Sequence, residues 1–409
     1  MKKSLGLLLL APFALFGQNL PELIELSKNN KLIDVSQQTL ESTKSAYESK
    51  KGSYLPSATL SATHQRASNE EKSGSPDNTT VLSGTLSYTI YDGGAKGNTY
   101  DYYEYSIQGD NQNLTNTKNQ IALQVTTYYY NYLSLVSQKE AKEKEIEQLN
   151  AQQKRLERFL EAGTTTDDEV QKIISRVQSA NVALHEIELN IQTILHNLEY
   201  TVGNPVSITK GSKLNEYISK EEILRSDIKA LEYDMKAQLY NARSQESGNY
   251  PTLKITDTYS QNDLNYEKSN NSKDYSENVI ALSLSWNIFD FGATSKSYEA
   301  AYKQYLALKS QYEYEKNRAS VDLRLAKKAF DIAKLKISSA RAGLKAADSA
   351  YESIKAKYQN GLVDNVSFLE SLSEKYDAQS ALQTALYDFE IKKANVIYHS
   401  GKNIEEYVQ

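Results

Sequence analysis

The sequence predicts an α + transmembrane β fold. Its form is a long antiparallel α-helical barrel continuous with a trimeric 12-stranded β-barrel, four strands per chain, built from two internal structural repeats. Three observations carry this expectation. Ala319, Leu323, Ala326, Phe330, Ala333, Ile337, Ala340, Leu344, Ala347, Tyr351, Ile354 and Tyr358 form an unbroken heptad seam, which marks helices that supercoil against neighbours. Two other runs alternate with the period of a strand: Leu82, Gly84, Leu86, Tyr88, Ile90, and Ile280, Leu282, Leu284, Trp286, Ile288. The whole figure is also written twice at an offset of 198 residues, that from Asp92 to Asp290. Asp92-Gly93-Gly94-Ala95 then falls on Asp290-Phe291-Gly292-Ala293, Gly163 on Gly361, and Tyr200-Thr201-Val202-Gly203 on Tyr398-His399-Ser400-Gly401.

Composition narrows the classes. The formal charge of −5 suggests no nucleic-acid partner. The absence of cysteine excludes disulfides, thiolate chemistry and a lipid-anchored cysteine. Residues 1–17 read as a signal peptide, with Lys2 and Lys3 before an apolar run from Leu5 to Phe16. Nothing later is apolar enough to span a membrane as a helix. A membrane-crossing chain would therefore need a closed β-barrel, which satisfies every backbone polar group in lipid.

The first repeat is read over 18–203, an equatorial connector over 204–219, the second repeat over 220–401 and a short C-terminal tail over 402–409. Each repeat opens with a helix, Pro21–Gly52 and Lys220–Gly248, the second carrying Ile223, Ile228, Leu231, Met235 and Leu239 on one side. Pro56 and Pro251 stop these helices. Strand pairs follow at 56–66 with 80–92 and at 251–261 with 277–290, joined by polar loops, Arg66–Thr80 and Gln261–Glu277, that read as solvated tips. A half-buried soluble sheet has the same period. Run lengths near the roughly 9–11 residues of a membrane-spanning strand favour lipid, as do aromatic residues near their ends. Leu82, Leu86, Tyr88, Leu282, Leu284 and Trp286 are the expected lipid-facing residues.

The long helices 95–162 and 293–360 contain no proline and would each extend about 100 Å. Gly163 and Gly361 turn the chain into return helices 166–200 and 364–398 of about 52 Å. An opening helix of roughly 45 Å stacked on a return helix matches a long one, giving a tall two-layer cylinder wall. Four strands cannot close a transmembrane barrel, since the smallest have about eight. A dimer would supply eight strands around a filled interior, and a trimer twelve around a lumen.

With these elements in place, the chain resembles the TolC family of outer-membrane efflux and secretion channels. The resemblance rests on Asn19-Leu20, Tyr54-Leu55-Pro56, Ile90-Tyr91-Asp92-Gly93-Gly94, Ile288-Phe289-Asp290-Phe291-Gly292, and Tyr358-Gln359-Asn360-Gly361 through Val366-Ser367-Phe368-Leu369-Glu370 with Leu372 and Ala378. It implies a homotrimer in the cell outer membrane, surrounded by outer-membrane lipid and extending into the periplasm. Its partners would be a periplasmic adaptor (membrane fusion) protein and an inner-membrane pump of a tripartite efflux or type I secretion system. The implied adaptor-docking tips are Ala162, Gly163, Thr164 and Asn360, Gly361, Leu362. The resemblance also implies an acidic ring at the periplasmic mouth, with Glu370 and Glu169 as gate and lumen acids. Tyr358 and Ser367 would be gate partners, and the arginine expected shortly after Tyr358 is here Val363.

No cofactor, metal or enzymatic role is expected. His64, His185, His196 and His399 are scattered, and neither a metal-binding spacing nor a phosphate-binding loop is present. A trimeric surface adhesin is the rival reading, but it would gather its strands at the C-terminus. A periplasm-spanning helical scaffold is the second rival, and it has no use for outward rows such as Leu284, Trp286 and Ile288.

Overall fold

The computed structural model describes residues 17–67, 76–217, 224–266 and 271–409. The signal-peptide run up to Phe16, the start of the second opening helix with Lys220 and Ile223, and parts of the two polar loops lie outside the described residues. Along the chain come α1 (Leu20–Ser27), α2 (Lys31–Ser53), β1 (Ser57–Arg66), β2 (Asn78–Asp92), α3 (Ala95–Glu161), α4 (Asp167–Val202), α5 (Ser226–Glu246), β3 (Thr252–Tyr266), β4 (Asn271–Ser285), α6 (Ala293–Gln359) and α7 (Asn365–His399). Among these described residues no helix is long and apolar enough to cross a membrane.

The repeat is visible in how the helices begin and end. The Asp92 carboxylate accepts from the backbone N–H groups of Gly94 and Lys96 at 3.2 and 2.8 Å, and Asp290 accepts from Gly292 and Thr294 at 2.9 and 2.8 Å. Each aspartate satisfies donors that the start of a 67-residue helix would otherwise leave free. At the far ends Gly163 and Gly361 take φ of 69° and 73°, a region open to glycine at no steric cost. There Thr164 N–H reaches Phe159 O at 2.8 Å and Leu362 N–H reaches Lys357 O at 2.9 Å, both closing a left-handed cap.

The opening helix expected over Pro21–Gly52 is two helices. Asn19 and Glu22 form a reciprocal capping box that starts α1, which ends at Ser27. Asn30 then restarts the chain, its side-chain oxygen accepting from Leu32 N–H at 2.8 Å and its amide donating to Thr201 O at 2.7 Å. An asparagine that caps a new helix while tethering it to α4 removes the reason for continuity. In the second repeat, α5 spans 21 residues and a short 3-10 turn at Ser247–Asn249 leads to Pro251.

The four strands form one antiparallel sheet in the order β1-β2-β3-β4, so that β2 and β3 join the two repeats. Partners on neighbouring strands share a face. One face carries Leu60, Gly84 and Tyr259, then Ala58 and Leu86, then Tyr88, Ile255 and Leu282, and the other is lined mostly by serine and threonine, with Val81, Val279, Ala281 and Lys254 among them. Cross-strand hydroxyl pairs tie the polar face, Ser57 to Ser87 at 2.9 Å, Ser61 to Ser83 at 2.8 Å and Thr85 to Thr258 at 3.2 Å.

Two strand limits differ from expectation. β3 and β4 extend well into the stretch Gln261–Glu277 expected as loop, with Tyr266 opposite Asn271. Backbone pairing continues there because a ladder needs no apolar side chains once its register is set. At the other end β4 stops at Ser285, so Trp286 lies just beyond the strand instead of within it. The ladder ends where β3 begins at Thr252, next to Pro251, which has no N–H to donate. Trp286 instead donates its indole N–H to Asn249 O at 3.0 Å.

The chain packs as two compact units, each drawing on both repeats. One comprises the described parts of Met1–Val35, Thr115–Ser226 and Lys316–Gln409, and the other Ser36–Leu114 with Asp227–Glu315. In the second, the sheet is accompanied by helices joined through tyrosines. Tyr47 of α2 stacks on Tyr103 of α3 at 5.8 Å, and Tyr105 of α3 stacks on Tyr240 of α5 at 5.4 Å. In the first, the helices follow the order α4-α3-α7-α6. Lys139 meets Glu188 at 2.9 Å, Ser134 meets Thr384 at 3.2 Å, and Phe330 stacks on Phe389 at 5.1 Å.

A belt crosses this first unit. The connector pairs with the C-terminal tail, Lys213 N–H to Gln409 O at 3.1 Å and the reverse at 2.9 Å. Lys393, with Glu390 at 2.6 Å, donates to Leu214 O at 2.7 Å from a buried position. Tyr129 and Tyr130 donate to Thr209 O and Ser212 O, and burial first, then Glu390, pushes the Tyr130 hydroxyl well above its ordinary value.

Candidate functional site: the hairpin tips and the sheet wall

The tips of the α3-α4 and α6-α7 hairpins meet over a shared apolar core of Leu149, Leu156, Val170, Ile173, Phe368 and Leu372, with Tyr358 packed against it. Tyr358 lies parallel to Phe368 at 4.8 Å between centroids. Its hydroxyl accepts from Gln152 Nε2, which also donates to Asn365 Oδ1 at 3.3 Å. Asn365 in turn donates to Glu169 Oε2 at 3.3 Å. Glu169 is further held by Lys172 at 3.0 Å, and Lys172 also reaches Asp168 at 3.1 Å. A continuous polar chain thus runs from Tyr358 on one hairpin to Glu169 on the other.

Electrostatics follow from these partners. Burial pushes the Tyr358 hydroxyl up, against the nearby Arg155. The Lys172 ammonium is held above its usual value by Glu169 and then Asp168, while Asp168 is held low by the Thr166 hydroxyl and then Lys172. Asp364, which caps α7 by accepting from Ser367 N–H at 2.9 Å, is held low by Ser367.

Among the residues named from sequence, Tyr358 and Glu169 are brought into one network. Ser367 belongs to the cap beside it. Glu370 is exposed on α7 and takes no part in the network. Ala162, Gly163, Thr164, Asn360, Gly361 and Leu362 are all exposed, Leu362 at 73 %.

Sequence reasoning missed three members, Gln152, Asn365 and Arg155. The guanidinium of Arg155 lies 5.5 Å from the Tyr358 ring centroid and 5.2 Å from that of Phe159. An arginine from the first hairpin thus stands over the tyrosine for which a nearby arginine was expected in the second, where Val363 sits. Helical spacing was the available signal, since Gln152, Arg155 and Phe159 follow at three and four residues on α3.

The sheet supplies the second candidate surface. Leu82, Leu86, Leu282 and Leu284 lie on one face at 49, 50, 65 and 70 % exposure, and Tyr88 shares their face. Large apolar side chains so open to solvent mark a face that meets lipid or protein.

The fold has counterparts among solved structures. The structure is similar to the Campylobacter jejuni CmeC outer membrane channel, with a TM-score of 0.85, 18 % identity, and coverage of 95 % of this chain and 86 % of that one. It is similar to the outer membrane protein VceC of Vibrio cholerae, with a TM-score of 0.82, 16 % identity, and coverage of 94 % and 96 %. A membrane protein from Pseudomonas aeruginosa gives a TM-score of 0.85 at 16 % identity, with coverage of 95 % and 91 %. At such identities the likeness establishes the fold. No curated protein is a sequence-level match. The family model for outer membrane efflux proteins matches residues 23–204 and 217–401, nearly the whole described chain. The chain therefore belongs to the outer membrane efflux protein family, whose members are outer-membrane channels of tripartite pumps.

Proposed function

We propose that three copies of this chain assemble into one duct across the outer membrane, each supplying four of twelve strands. The observation that carries this reading is the open sheet. It is apolar on one face and polar on the other, and β1 and β4 form its edges. An open amphipathic edge strand invites pairing, and pairing β1 of one copy with β4 of the next removes both edges. The helices support the same closure. The outer members of the α4-α3-α7-α6 layer carry exposed apolar rows, Val182, Leu189 and Tyr200 on α4, and Val321, Leu325, Ile332 and Leu335 on α6. Such rows fit together when copies stand side by side.

Energy for export comes from a partner pump through an adaptor seated on the tips around Gly163 and Gly361. The Tyr358-Gln152-Asn365-Glu169 chain holds the two hairpins of one copy together at the mouth, and Glu370 lines the bore. Rings of carboxylates attract cations.

The absence of native cysteine makes the test direct. Single cysteines placed on the outer edges of β1 and β4, joined by a bifunctional thiol reagent in membranes, are expected to yield covalent dimers and trimers and nothing larger. Monomers alone would remove the duct. Glu370→Ala is expected to weaken divalent-cation block of conductance in planar bilayers, and unchanged block would retire Glu370 as a lumen charge.

A further inference from the structure

Inside one chain the structure shows how one repeat packs beside the next. Where β2 leads into α3, the turn Asp92-Gly93-Gly94 lies against the short 3-10 turn between α5 and β3. A Cβ added to Gly93 would stand 2.5 Å from Ser247 O and 3.0 Å from Tyr250 Cβ. A little further along the helices, Thr99 Oγ1 of α3 meets Ser244 Oγ of α5 at 3.2 Å. The end of the first repeat's strand pair is thereby fastened to the start of the second's.

The second repeat carries the same turn at the open edge of the sheet, where β4 leads towards α6. Asp290 caps α6 as Asp92 caps α3, and Phe291 stands at the place of Gly93 with φ of 53°. A bulky residue rarely enters the left-handed region, and it stays there where its surroundings hold it. Glycine takes this turn freely, as Gly93 does at 72°. Yet Phe291 is 91 % exposed, and Phe289, whose ring lies 4.5 Å from its own, is 72 % exposed. Two adjoining rings open to water form an apolar surface that calls for a cover.

A matching surface lies at the opposite edge. Pro56 and Pro251 end the two opening helices, and the distance between them sets an offset of 195 residues for this part of the repeat. At this offset Ser247 falls on Gly52, Tyr250 on Leu55 and Ser244 on Ser49, while the long-helix offset carries Thr99 to Ser297. Leu55 is 64 % exposed, and a Cβ added at Gly52 would meet no atom within 4 Å. Ser49 and Ser297 are exposed as well. The steric roles are exchanged between the two places. Within the chain the turn has the glycine and its partner the bulk, whereas here the turn has the ring and the opposite edge has the glycine.

We propose that Phe291 of one copy seats over Gly52 and Leu55 of the next, with Ser297 facing Ser49, so that the seam between copies repeats the seam inside one. The inference rests on the trimeric duct proposed above and names the joint at the helix end of its sheet. Six like units in a ring then make one kind of contact, alternately within and between copies, and β4 is led to β1 of the next copy as β2 is led to β3. The Phe291 ring leaves water, and the neighbour holds its backbone conformation.

Two full-length chains with different affinity tags test it, one carrying Phe291→Cys and the other Gly52→Cys, since no native cysteine interferes. Oxidation of membranes from cells making both is expected to give a disulfide-linked dimer holding both tags, and neither variant made alone is expected to give one. Leu55→Cys in place of Gly52→Cys repeats the test from a side chain that is already exposed. Phe291→Gly keeps the turn and removes the ring, and is expected to increase dissociation of detergent-solubilised trimers about tenfold. Absence of the mixed dimer from both pairs overturns the contact, and labelling of Phe291→Cys by a lipid-soluble maleimide in that case assigns the ring to the membrane. Unchanged dissociation in Phe291→Gly overturns it too. The edge cysteines of β1 and β4 are read in the same membranes. Edge-linked trimers without the mixed dimer overturn this joint alone, whereas monomers in both experiments overturn the duct as well.

Discussion

The two hairpin tips are the same backbone device carrying different chemistry. Both long helices end in a glycine with positive φ, and both return helices begin a few residues later. In the first, Thr166 makes no side-chain capping bond to the helix, and the first turn of α4 carries Asp167, Asp168 and Glu169, whose charges suit the positive end of the helix dipole. In the second, Asp364 caps α7 directly and the first turn carries no acid. The aromatic content is also unequal. Val170 of the first repeat stands in the position that Phe368 takes in the second at the repeat offset, and both are buried in one core. The difference teaches that the repeat conserves helix lengths and turns, while the contacts between the hairpins come from residues the repeat does not share.

Substitutions at matched positions sharpen that contrast. Phe368→Ala is expected to cost about 3–5 kcal/mol, as buried Phe→Ala changes do. Val170→Ala removes two buried methyl groups, so its transfer loss is nearer 2 kcal/mol. Hydrogen exchange over the first turns of α4 and α7 reads the difference, and equal loss of protection in the two variants would show the tips to be energetically equivalent.

Tyr358→Phe keeps the stack on Phe368 and removes the hydroxyl that accepts from Gln152. A cost of about 1 kcal/mol is expected, together with a higher open probability in single-channel records. An unchanged open probability would leave the network a structural tie only.

The opening helices offer a second test, at Asp234 on α5. Its carboxyl packs over Gly109, where an added Cβ would come within 2.6 Å of Oδ1. Burial first and Asp110 second push its pKa up to about 6. A raised carboxyl pKa means that the folded state binds more protons than the unfolded one between the ordinary aspartate range and pH 6. Stability from this site is therefore fully present at low pH and is lost as pH rises through about 6. Asp234→Asn is expected to raise the Tm above pH 6 and to flatten this part of the profile. A wild-type profile with the opposite slope, after correction with the variant, would reject the assignment.

The smallest expected effect concerns the caps. The carboxyl of Asp364 is held low by Ser367, so its contribution is present above the ordinary carboxylate range and is lost as pH falls through the lowered pKa. Asp364→Ala is expected to lower the Tm more than Thr166→Ala at neutral pH, with the gap closing in acid. A gap that persists in acid would place the difference elsewhere.

Much of the fold is legible in the residues. The heptad seam is visible because its residues repeat along a single helix. Buried Ala319, Leu323, Ala326, Ala333 and Tyr351 lie where the spacing puts them. Gly163 and Gly361 are legible because only glycine enters the left-handed region freely. The break at Asn30 was less so. An Asn-Asn pair hints at a turn, but the tether to Thr201 comes from a helix some 170 residues away. The extension of β3 and β4 through polar residues was hidden for a related reason, since strand pairing there depends on a register set elsewhere in the sheet.

At the candidate site the division is sharper still. Tyr358 and Glu169 could be named one at a time, but not the chain of Gln152 and Asn365 that joins them, nor Arg155 standing over Tyr358. Periodicity, caps and turns are written in neighbouring residues, so the amino-acid order alone determined the lengths of the long helices, their glycine turns and the doubling of the unit. Which repeat's side chain lies opposite which was decided only by packing. The joining of β2 to β3 and the close approach of Gly93 to Ser247 arise for the same reason, that residues remote in sequence meet only when whole elements settle against one another.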